Sequence, residues 1–351
     1  MASISWHDFR LKASQDPQRI VLADGEDPRV VRAAAQTVKD RIAEPVLIGS
    51  PSVIQAVWRE ASGPGTPTCL DPENLSPSVA EALLKEFLGL PKFKNLSPAE
   101  ARLRIKDPLW LGALYLKCGS AAGFVGGAAR TTADTLRAVF RTIGLTRRIS
   151  TLFGFFLIEP RGAPGDPKPL VLLADCAVIP EPSSKQLASI GVGAAEAYHF
   201  FTAQTPKTVF LSFSTHGSAE YPSVDRMREA AALAAQKAPQ LSFEGEWQAD
   251  AALDLFCARL KGVGNSPLAG QANVLIVPNL DCGNIAYKLI QRLGGCRCVG
   301  PVLWGTALPA NDLSRGCSEE DVVDMIALTA LQAQAGRNAE LPERTIPSSS
   351  R

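Results

Sequence analysis

Short runs of aliphatic residues alternate along this chain with longer segments of helical periodicity. "RIVLADG" at 19–25 and "PVLIGS" at 45–50 have the length and the Val, Ile and Leu content of buried strands. Between them, "DPRVVRAAAQTVKDRI" at 27–42 has the apolar spacing of a helix, with Pro28 in its first turn, where proline is well tolerated. This strand–helix–strand beginning predicts an α/β fold with a largely parallel sheet.

The alternation restarts near residue 150, so the 351-residue chain is expected to form two α/β halves. Before that point the pattern predicts a loop at 63–80, two or three helices up to about Cys118 and a buried strand at 122–127. Beyond it, predicted strands lie at 151–159, 169–180, 208–214, 273–280 and 298–305, with helices at 183–203, 223–237, 283–293 and 318–334. Residues 160–169 form a predicted turn, and the tail from about 335 is expected to be disordered.

Charge and cysteine content exclude several classes of function. The chain has 36 basic and 35 acidic residues, so its net charge of +1 does not indicate binding to nucleic acid or to a charged membrane surface. Of its eight cysteines only Cys296 and Cys298 are close in sequence, so neither a metal site nor a disulfide framework is expected. No secretory leader pattern and no apolar run long enough for a membrane span is present, which predicts a cytoplasmic protein.

A Gly-Gly turn joins the predicted strand at 122–127 to a helix. Two glycines at a helix N-terminus let backbone N–H groups approach an anion, which makes Gly127 a candidate ligand contact. Thr131 or Thr132 is the expected cap, because Thr131 and Asp134 match a capping box. Arg137 lies farther inside the helix. The alternative is an ordinary tight turn followed by a solvated arginine.

Two strand ends in the second half also carry candidate ligand contacts. "LSFSTHGSAEYPSVDRMREA" at 211–230 clusters hydroxyl groups, including that of Ser214, where a strand leads into a helix. In "NVLIVPNLDCGNIAYKLIQRLGG" at 273–295, Gly283 and Asn284 are predicted to present backbone groups where a helix starts near Asn284. In each case the alternative is a structural turn.

The stretch "NDLSRGCSEEDVVDM" at 311–325 allows two interpretations. Ser318 and Asp321 match a capping box at the start of a helix, and acids in a first turn suit the helix dipole. Alternatively, Arg315 suits bidentate binding of phosphate, Ser314 suits hydrogen bonding to an oxyanion, and Asp321 suits a general base. The residue types by themselves favour the cap.

Several segments together resemble the phosphate acetyltransferase (phosphotransacetylase) family in order and spacing, over about residues 19–332, and most resemble its ethanolamine-utilisation type. The most specific motif is the run P-x-N-D-L-S-R-G-C-S, which lies in the last of the similar segments. The similar segments are "RIVLADGEDPRVVRAA", "TTADTLR", "LADCAVIPEPSSKQLA", "LSFSTHGSA", "EGEWQADAAL", "NVLIVPNLDCGNIAYKLIQRLGG" and "GPVLWGTALPANDLSRGCSEEDVVDM".

This resemblance implies a fold of two three-layer α/β domains with a cleft between them, of isocitrate/isopropylmalate dehydrogenase-like type. The expected division is 1–148 plus 302–351 for one domain and 149–301 for the other. It also implies a cytoplasmic homodimer of acetate metabolism that transfers acetyl between CoA and phosphate by direct thiolate attack. CoA and acetyl-CoA would be substrates, and no tightly bound cofactor or metal is expected.

The resemblance also assigns roles to residues. Arg315 would bind phosphate, Ser314 would stabilise the transition state, and Asp321 would take the proton of the CoA thiol. Arg137, Thr131, Thr132, Gly127, Ser214, Gly283 and Asn284 would contact phosphate, acetyl phosphate or CoA.

The chain departs from the family where an "LRKHKG"-like stretch is common, because "LPKFKN" at 90–95 has Pro91 in place of an arginine. Lys92 or Lys94 is then the candidate cation for CoA. Two alternatives remain: a phosphate butyryltransferase with a larger acyl pocket, and a non-catalytic acetyl-CoA-binding module.

Overall fold

The computed structural model describes residues 4–146, 149, 151–162 and 168–338, without the side chains of 337 and 338. These residues form two compact α/β units. One unit comprises residues 5–146 and 306–338, and the other comprises the described residues between 149 and 305. Each unit has its own sheet. Among the described residues, no helix combines the length and apolar content needed to cross a bilayer.

The sheet of the first unit has five parallel strands in the order β11-β4-β1-β2-β3. Its central strands carry consecutive buried residues, as expected for a parallel sheet covered on both faces. The strands are β1 Gln18–Leu22, β2 Ala43–Ile48, β3 Thr68–Leu70, β4 Gly123–Gly126 and β11 Ala310–Asp312. The carboxyl ends of β1, β4 and β11 therefore meet at one edge.

Proline begins five helices of this unit, where its missing N–H costs no hydrogen bond. The helices are α1 Trp6–Ala13, α2 Pro28–Lys39, α3 Pro51–Glu60, α4 Pro77–Gly89, α5 Pro98–Ile105, α6 Pro108–Lys117, α7 Thr132–Thr142 and α13 Glu319–Asn338. A short 3₁₀ turn lies at Pro91–Phe93. Phe87, Phe93 and Trp110 pack edge-on or tilted in the core between α4, this turn and α6.

The sheet of the second unit has six strands in the order β10-β5-β6-β9-β7-β8 and is mixed. β5 pairs antiparallel with both β10 and β6, and the remaining pairs are parallel. The strands are β5 Phe153–Glu159, β6 Val171–Ala174, β7 Lys207–Leu211, β8 Ser242–Trp247, β9 Val274–Ile276 and β10 Arg297–Trp304. The prediction of a parallel sheet is thus confirmed for four of these strands, β6, β9, β7 and β8.

Helices cover both faces of this second sheet. They are α8 Ser184–Thr202, α9 Pro222–Lys237, α10 Ala249–Leu253, α11 Leu255–Leu260 and α12 Leu280–Arg292. On one face, α8 packs with Phe201 against Phe155 and with Gly191 against Phe210. On the other face, α10, α11 and α12 share a core in which Tyr287 stacks on Phe156 at 3.8 Å between ring centroids.

Three predicted boundaries differ from the structure. The predicted loop at 63–80 contains β3 and the start of α4. Helix α12 begins at Leu280, capped by Asn279, and not near Asn284. The last helix continues to Asn338, beyond the predicted start of a disordered tail, and the remainder of that tail lies outside the described residues, as does 163–167 of the predicted turn.

Candidate active site

A loop between β11 and α13 carries Ser314 and Arg315, and Ser318 caps the helix that follows. The Asp321 Oδ2 atom accepts a hydrogen bond from the Ser318 N–H at 2.8 Å, and the Asp321 N–H donates to Ser318 Oγ at 3.1 Å. This reciprocal pair is the capping box predicted from the sequence. Asp321 Oδ1 accepts no hydrogen bond within the part of the chain that the structure describes.

The three consecutive acids that open α13 have different surroundings. Glu319 pairs with Arg32 at 2.8 Å, and Glu320 pairs with Arg10 at 3.2 Å. Arg10 also pairs with the buried Asp324 at 2.6 Å. Asp321 has no arginine or lysine within ion-pair distance among the described residues. It is therefore the acid of this run whose charge the fold leaves without a cation.

Arg315 is exposed, and its guanidinium has no carboxylate within ion-pair distance in the described ranges. An unpaired guanidinium is free to bind a dianion through two parallel N–H···O bonds. Ser314 lies beside it, half-buried, and its Oγ accepts from the Gly316 N–H at 3.3 Å. That hydroxyl retains its own proton for donation to a ligand oxygen.

Arg29, at the start of α2, holds this loop in place. Its Nη1 atom donates to the carbonyl oxygens of Arg315 and Cys317, each at 2.9 Å, and Nη2 donates to the Ala128 carbonyl at 2.9 Å. The hydrogen bond with the Asp27 carboxylate raises the pKa of Arg29. No local sequence pattern indicates this role, because Arg29 and Arg315 are 286 residues apart.

The Gly-Gly turn binds a carboxylate of the protein itself. Asp24, at the end of β1, accepts hydrogen bonds from the N–H groups of Gly127 at 2.7 Å, Ala128 at 3.0 Å and Ala129 at 3.3 Å. Burial raises the pKa of Asp24, and these three bonds oppose the increase. The N–H groups of this turn therefore hold the Asp24 carboxylate. The contact of Gly127 with a substrate stays a prediction.

Asp312, at the end of β11, lies buried beneath the same turn. Its Oδ2 atom accepts from the Thr132 hydroxyl at 2.7 Å, whereas the buried Oδ1 atom has no hydrogen-bond partner. Burial raises the pKa of Asp312 to about 7. Position 127 requires glycine, because its φ is +105° and a Cβ would clash with Asp312 Oδ1. Asp312 thus joins the start of α7 to the strand that leads to Ser314.

Thr131 caps α7, as predicted, by accepting from the Asp134 N–H at 3.2 Å. Asp134 also pairs with Arg137 at 2.7 Å. Hydrogen bonds from Thr131 and then from Arg137 lower the pKa of Asp134. The Arg137 side chain is 52% exposed, so a ligand can reach it, but binding must compete with Asp134. Thr132 differs, because its hydroxyl donates to Asp312.

Ser214, in the second unit, is buried within its loop. Its hydroxyl donates to Glu246 Oε1 at 2.9 Å and accepts from the Ala219 N–H at 3.1 Å. Glu246 also accepts from the Gly217 N–H at 2.8 Å and from Arg228 at 3.0 Å. The Ser214 hydroxyl is thus engaged inside the protein and organises this loop around Glu246. The contact of Ser214 with a substrate stays a prediction.

Replacing Glu246 with glutamine is expected to make the free energy of unfolding less dependent on pH in the acidic range. Burial tends to raise the pKa of Glu246, but hydrogen bonds from Arg228, Gly217 and Ser214 outweigh it and lower this pKa to about 2. A depressed carboxyl pKa stabilises the fold above the unfolded value of 4.5, and that stabilisation is lost as pH falls toward 2. Glu246→Gln should lower the free energy of unfolding by about 2–3 kcal/mol at pH 7.

Urea unfolding at pH 7 and pH 3 measures this effect. The difference between wild type and Glu246→Gln should narrow to roughly half or less at pH 3, where the wild-type carboxylate has lost most of its advantage. Glu220→Gln, an exposed acid of the same loop, is the control and should change little. A constant difference at both pH values would contradict a role for the Glu246 charge.

Gly283 and Asn284 are the fourth and fifth residues of α12 and do not lie in a loop before it. Gly283 is buried, and a Cβ at this position would clash with the Asp175 carbonyl oxygen, which explains a glycine inside a helix. Asn284 donates to the Cys176 carbonyl at 3.4 Å and accepts from Lys288 at 2.7 Å. Both residues therefore lie inside α12 and not in the predicted turn before it. Their contact with a ligand stays a prediction.

Lys92, the candidate replacement for the missing arginine, lies over the ring of Phe140 in α7. Its Nζ atom is 4.3 Å from the ring centroid. Phe140 is three residues beyond Arg137, so both cations lie along α7. Among the described residues, no cluster of three or more His, Cys, Asp or Glu side chains is placed to hold a metal ion.

Comparison with known proteins identifies the relatives of this chain. The family model described as phosphate acetyl/butaryl transferase matches residues 8–330. A phosphate acetyltransferase from Thermoanaerobacterium thermosaccharolyticum is 40% identical over 323 residues, which cover 92% of this chain and 97% of that protein.

Solved structures agree with the sequence match. A phosphotransacetylase from Streptococcus pyogenes has a TM-score of 0.83 at 35% identity, covering 94% of this chain and 98% of that one. The EutD phosphotransacetylase from Staphylococcus aureus has a TM-score of 0.79 at 35% identity, covering 94% of this chain and 100% of that one.

Proposed function

The chain belongs to the phosphate acetyl/butaryl transferase family, and we propose that it is a phosphate acetyltransferase. The reaction is acetyl-CoA plus phosphate to CoA plus acetyl phosphate, in either direction. The similarity to phosphate acetyltransferases over almost the full length of both chains carries this conclusion. The loop that carries Ser314 and Arg315, together with Asp321 at the start of α13, provides side chains suited to that chemistry.

We propose that Arg315 binds the phosphate group and that Ser314 donates a hydrogen bond to the carbonyl oxygen as it gains negative charge. The unpaired guanidinium and the half-buried hydroxyl support these two roles. Oriented donors in a partly desolvated site stabilise such charge more than water does. In the direction toward acetyl-CoA, the carbon–sulfur bond forms as the bond from the acetyl carbon to the phosphate oxygen breaks.

Asp321 is the proposed general base for the CoA thiol. The cap and the base are compatible, because the Ser318 N–H fixes Oδ2 while Oδ1 remains open to accept the thiol proton. Cys317 does not suit a covalent intermediate. Burial raises the pKa of its thiol to about 11, so it is protonated at neutral pH. Direct attack by the CoA thiolate fits these surroundings better.

The proposed reaction needs no tightly bound cofactor, because all the atoms exchanged come from CoA, the acetyl group and phosphate. Thr131, Thr132 and Arg137 are proposed to act near the acyl phosphate or CoA, with Thr132 positioned by Asp312 rather than free to rotate. We further propose that the protein acts in the cytoplasm, in acetate metabolism, since the CoA thioesters it would use are intracellular metabolites. The proposal that it is a homodimer rests on the family resemblance alone.

Release of the CoA thiol tests this function directly. Purified protein with acetyl-CoA should release thiol only when phosphate is present, and acetyl phosphate should form in equal amount. Butyryl-CoA measured in parallel tests the alternative of a phosphate butyryltransferase. No phosphate-dependent release with either thioester would reject the transferase and favour a binding module, and faster initial rates with butyryl-CoA would reject the acetyl assignment.

A further inference from the structure

The hydrogen bond between Thr132 and Asp312 determines where the Thr132 hydroxyl places its proton. Thr132 Oγ1 donates to Asp312 Oδ2 at 2.7 Å. A hydroxyl has a single proton, so while it donates to a carboxylate it offers a ligand only its oxygen lone pairs, which repel an anion. Thr132 is half-buried at the start of α7 and is proposed above to act near the acyl phosphate. The orientation of its hydroxyl in this structure opposes that role.

Asp312 is a carboxyl group that the fold does little to stabilise as an anion. It is 0% exposed, and its Oδ1 atom has no hydrogen-bond partner. A carboxyl group buried in this way favours its neutral form. Burial accordingly raises the pKa of Asp312 to about 7, although hydrogen bonds from Thr132 and Thr135 act to lower this pKa. Asp312 can therefore exist in either protonation state near neutral pH.

The charged groups around Asp312 do not supply it with a counter-ion. Asp24, at the end of β1, accepts hydrogen bonds from the turn above Asp312, and its negative charge acts to raise the pKa of Asp312 further. Arg29 contacts the same turn, but through the Ala128 carbonyl, and its ion pair is with Asp27. In the ranges that the structure describes, no cation lies within ion-pair distance of Asp312.

We propose that Asp312 is a positioning residue that takes up a proton when the site binds the phosphate dianion and thereby turns the Thr132 hydroxyl toward the ligand. A neutral Asp312 donates from Oδ2 to Thr132 Oγ1, and the Thr132 hydroxyl then donates its own proton to a phosphate oxygen. The proton on Asp312 comes from solvent, Thr132 keeps the proton it has, and no other bond forms or breaks. This role rests on the phosphate binding proposed above and adds proton uptake to it.

Proton uptake makes the affinity for a dianion depend on pH. Since the bound state requires a neutral Asp312, affinity is full below about pH 7 and falls by up to about tenfold for each pH unit above it. The total loss is limited to about 10–150-fold, because one hydrogen bond to a charged group contributes no more than that.

Isothermal titration calorimetry with sulfate measures this coupling. Sulfate is a tetrahedral dianion that, unlike phosphate, keeps one charge state across neutral pH, so any proton taken up belongs to the protein. Wild type should bind sulfate about 5–20-fold more weakly at about pH 8.5 than at about pH 6.5. Titrations at about pH 7.5 in two buffers of different ionisation enthalpy should show uptake of about half a proton or more per sulfate.

Asp312→Asn removes the group that titrates. Its sulfate affinity should change by less than about twofold over the same pH range, and its proton uptake should fall to near zero. Thr132→Val leaves the carboxyl group in place but removes the hydroxyl through which it acts, so affinity should become independent of pH at the weaker level. Thr132→Ser, which restores the hydroxyl, should restore the pH dependence. A merely structural role of Asp312 would not produce this pattern.

Asp24→Asn is the matched control, because Asp24 is the other buried carboxyl group at this turn. It should retain proton uptake, with the fall in affinity shifted to lower pH because its charge no longer raises the pKa of Asp312. Circular dichroism confirms that each variant is folded.

Three results would overturn the role of Asp312: wild type that binds sulfate without proton uptake or does not bind it, folded Asp312→Asn or Thr132→Val that keeps the pH dependence, or loss of uptake in folded Asp24→Asn. Sulfate binding requires no turnover, and phosphate-dependent thiol release by wild type is scored separately. Failure of the proton coupling is therefore distinguishable from failure of the transferase.

Discussion

Replacing Asp321 with asparagine is expected to lower kcat for acetyl transfer by about 10²–10⁴-fold, which is the usual contribution of a placed general base. Asparagine has nearly the same shape, and its side-chain oxygen can still accept from the Ser318 N–H that Asp321 Oδ2 now engages. The start of α13 should therefore persist while the proton acceptor is lost. Steady-state rates with acetyl phosphate and CoA, together with thermal melting, measure both effects.

Ser318→Ala is the matched control for this prediction. It removes the Ser318 hydroxyl that accepts from the Asp321 N–H but keeps the backbone N–H that orients the Asp321 carboxylate. It should cost about 0.5–2 kcal/mol of stability, as the loss of a cap usually does, with kcat close to wild type. Near-normal turnover by Asp321→Asn would leave Asp321 as a cap alone and place the base elsewhere.

The order of strands and helices could be predicted because aliphatic runs and helical periodicity report burial directly. β4 and α2 lie where the pattern placed them, and Pro28 begins α2. β3 was missed because Thr68–Leu70 is short, partly exposed and at the edge of its sheet, so it carries no apolar run. The start of α12 was placed too late because Gly283 suggested a turn, whereas glycine there allows the close approach of a carbonyl from another segment.

Local patterns also predicted the caps of the candidate site but not its long-range contacts. Thr131 and Ser318 cap the helices that their sequence motifs indicated. The Gly-Gly turn was predicted to approach a ligand anion, and no local signal indicated that Asp24, about 100 residues earlier in the chain, would accept hydrogen bonds from it. No local pattern indicated the contacts of Arg29 either, because they form only when the carboxyl ends of distant strands meet.

Arg315→Ala is expected to lower kcat/KM for phosphate and for acetyl phosphate by about 10²–10⁴-fold, with a smaller change in KM for CoA. Two charge-assisted hydrogen bonds from one guanidinium, each contributing about 1.5–3 kcal/mol, account for a loss of that size. Stability should change little, because the Arg315 side chain is exposed and Arg29 holds the loop through the Arg315 backbone carbonyl.

Arg315→Lys separates the charge of this side chain from its geometry. Lysine keeps a positive charge but not the planar pair of donors, so kcat/KM for phosphate should lie between wild type and Arg315→Ala if the contact is bidentate. Arg19→Ala, which removes a 54% exposed arginine paired with Glu44 in β2, controls for a general loss of positive charge and should match wild type. Equal increases in KM for phosphate and for CoA in Arg315→Ala would contradict a specific phosphate contact, because a group that binds only the phosphoryl end cannot weaken both substrates alike.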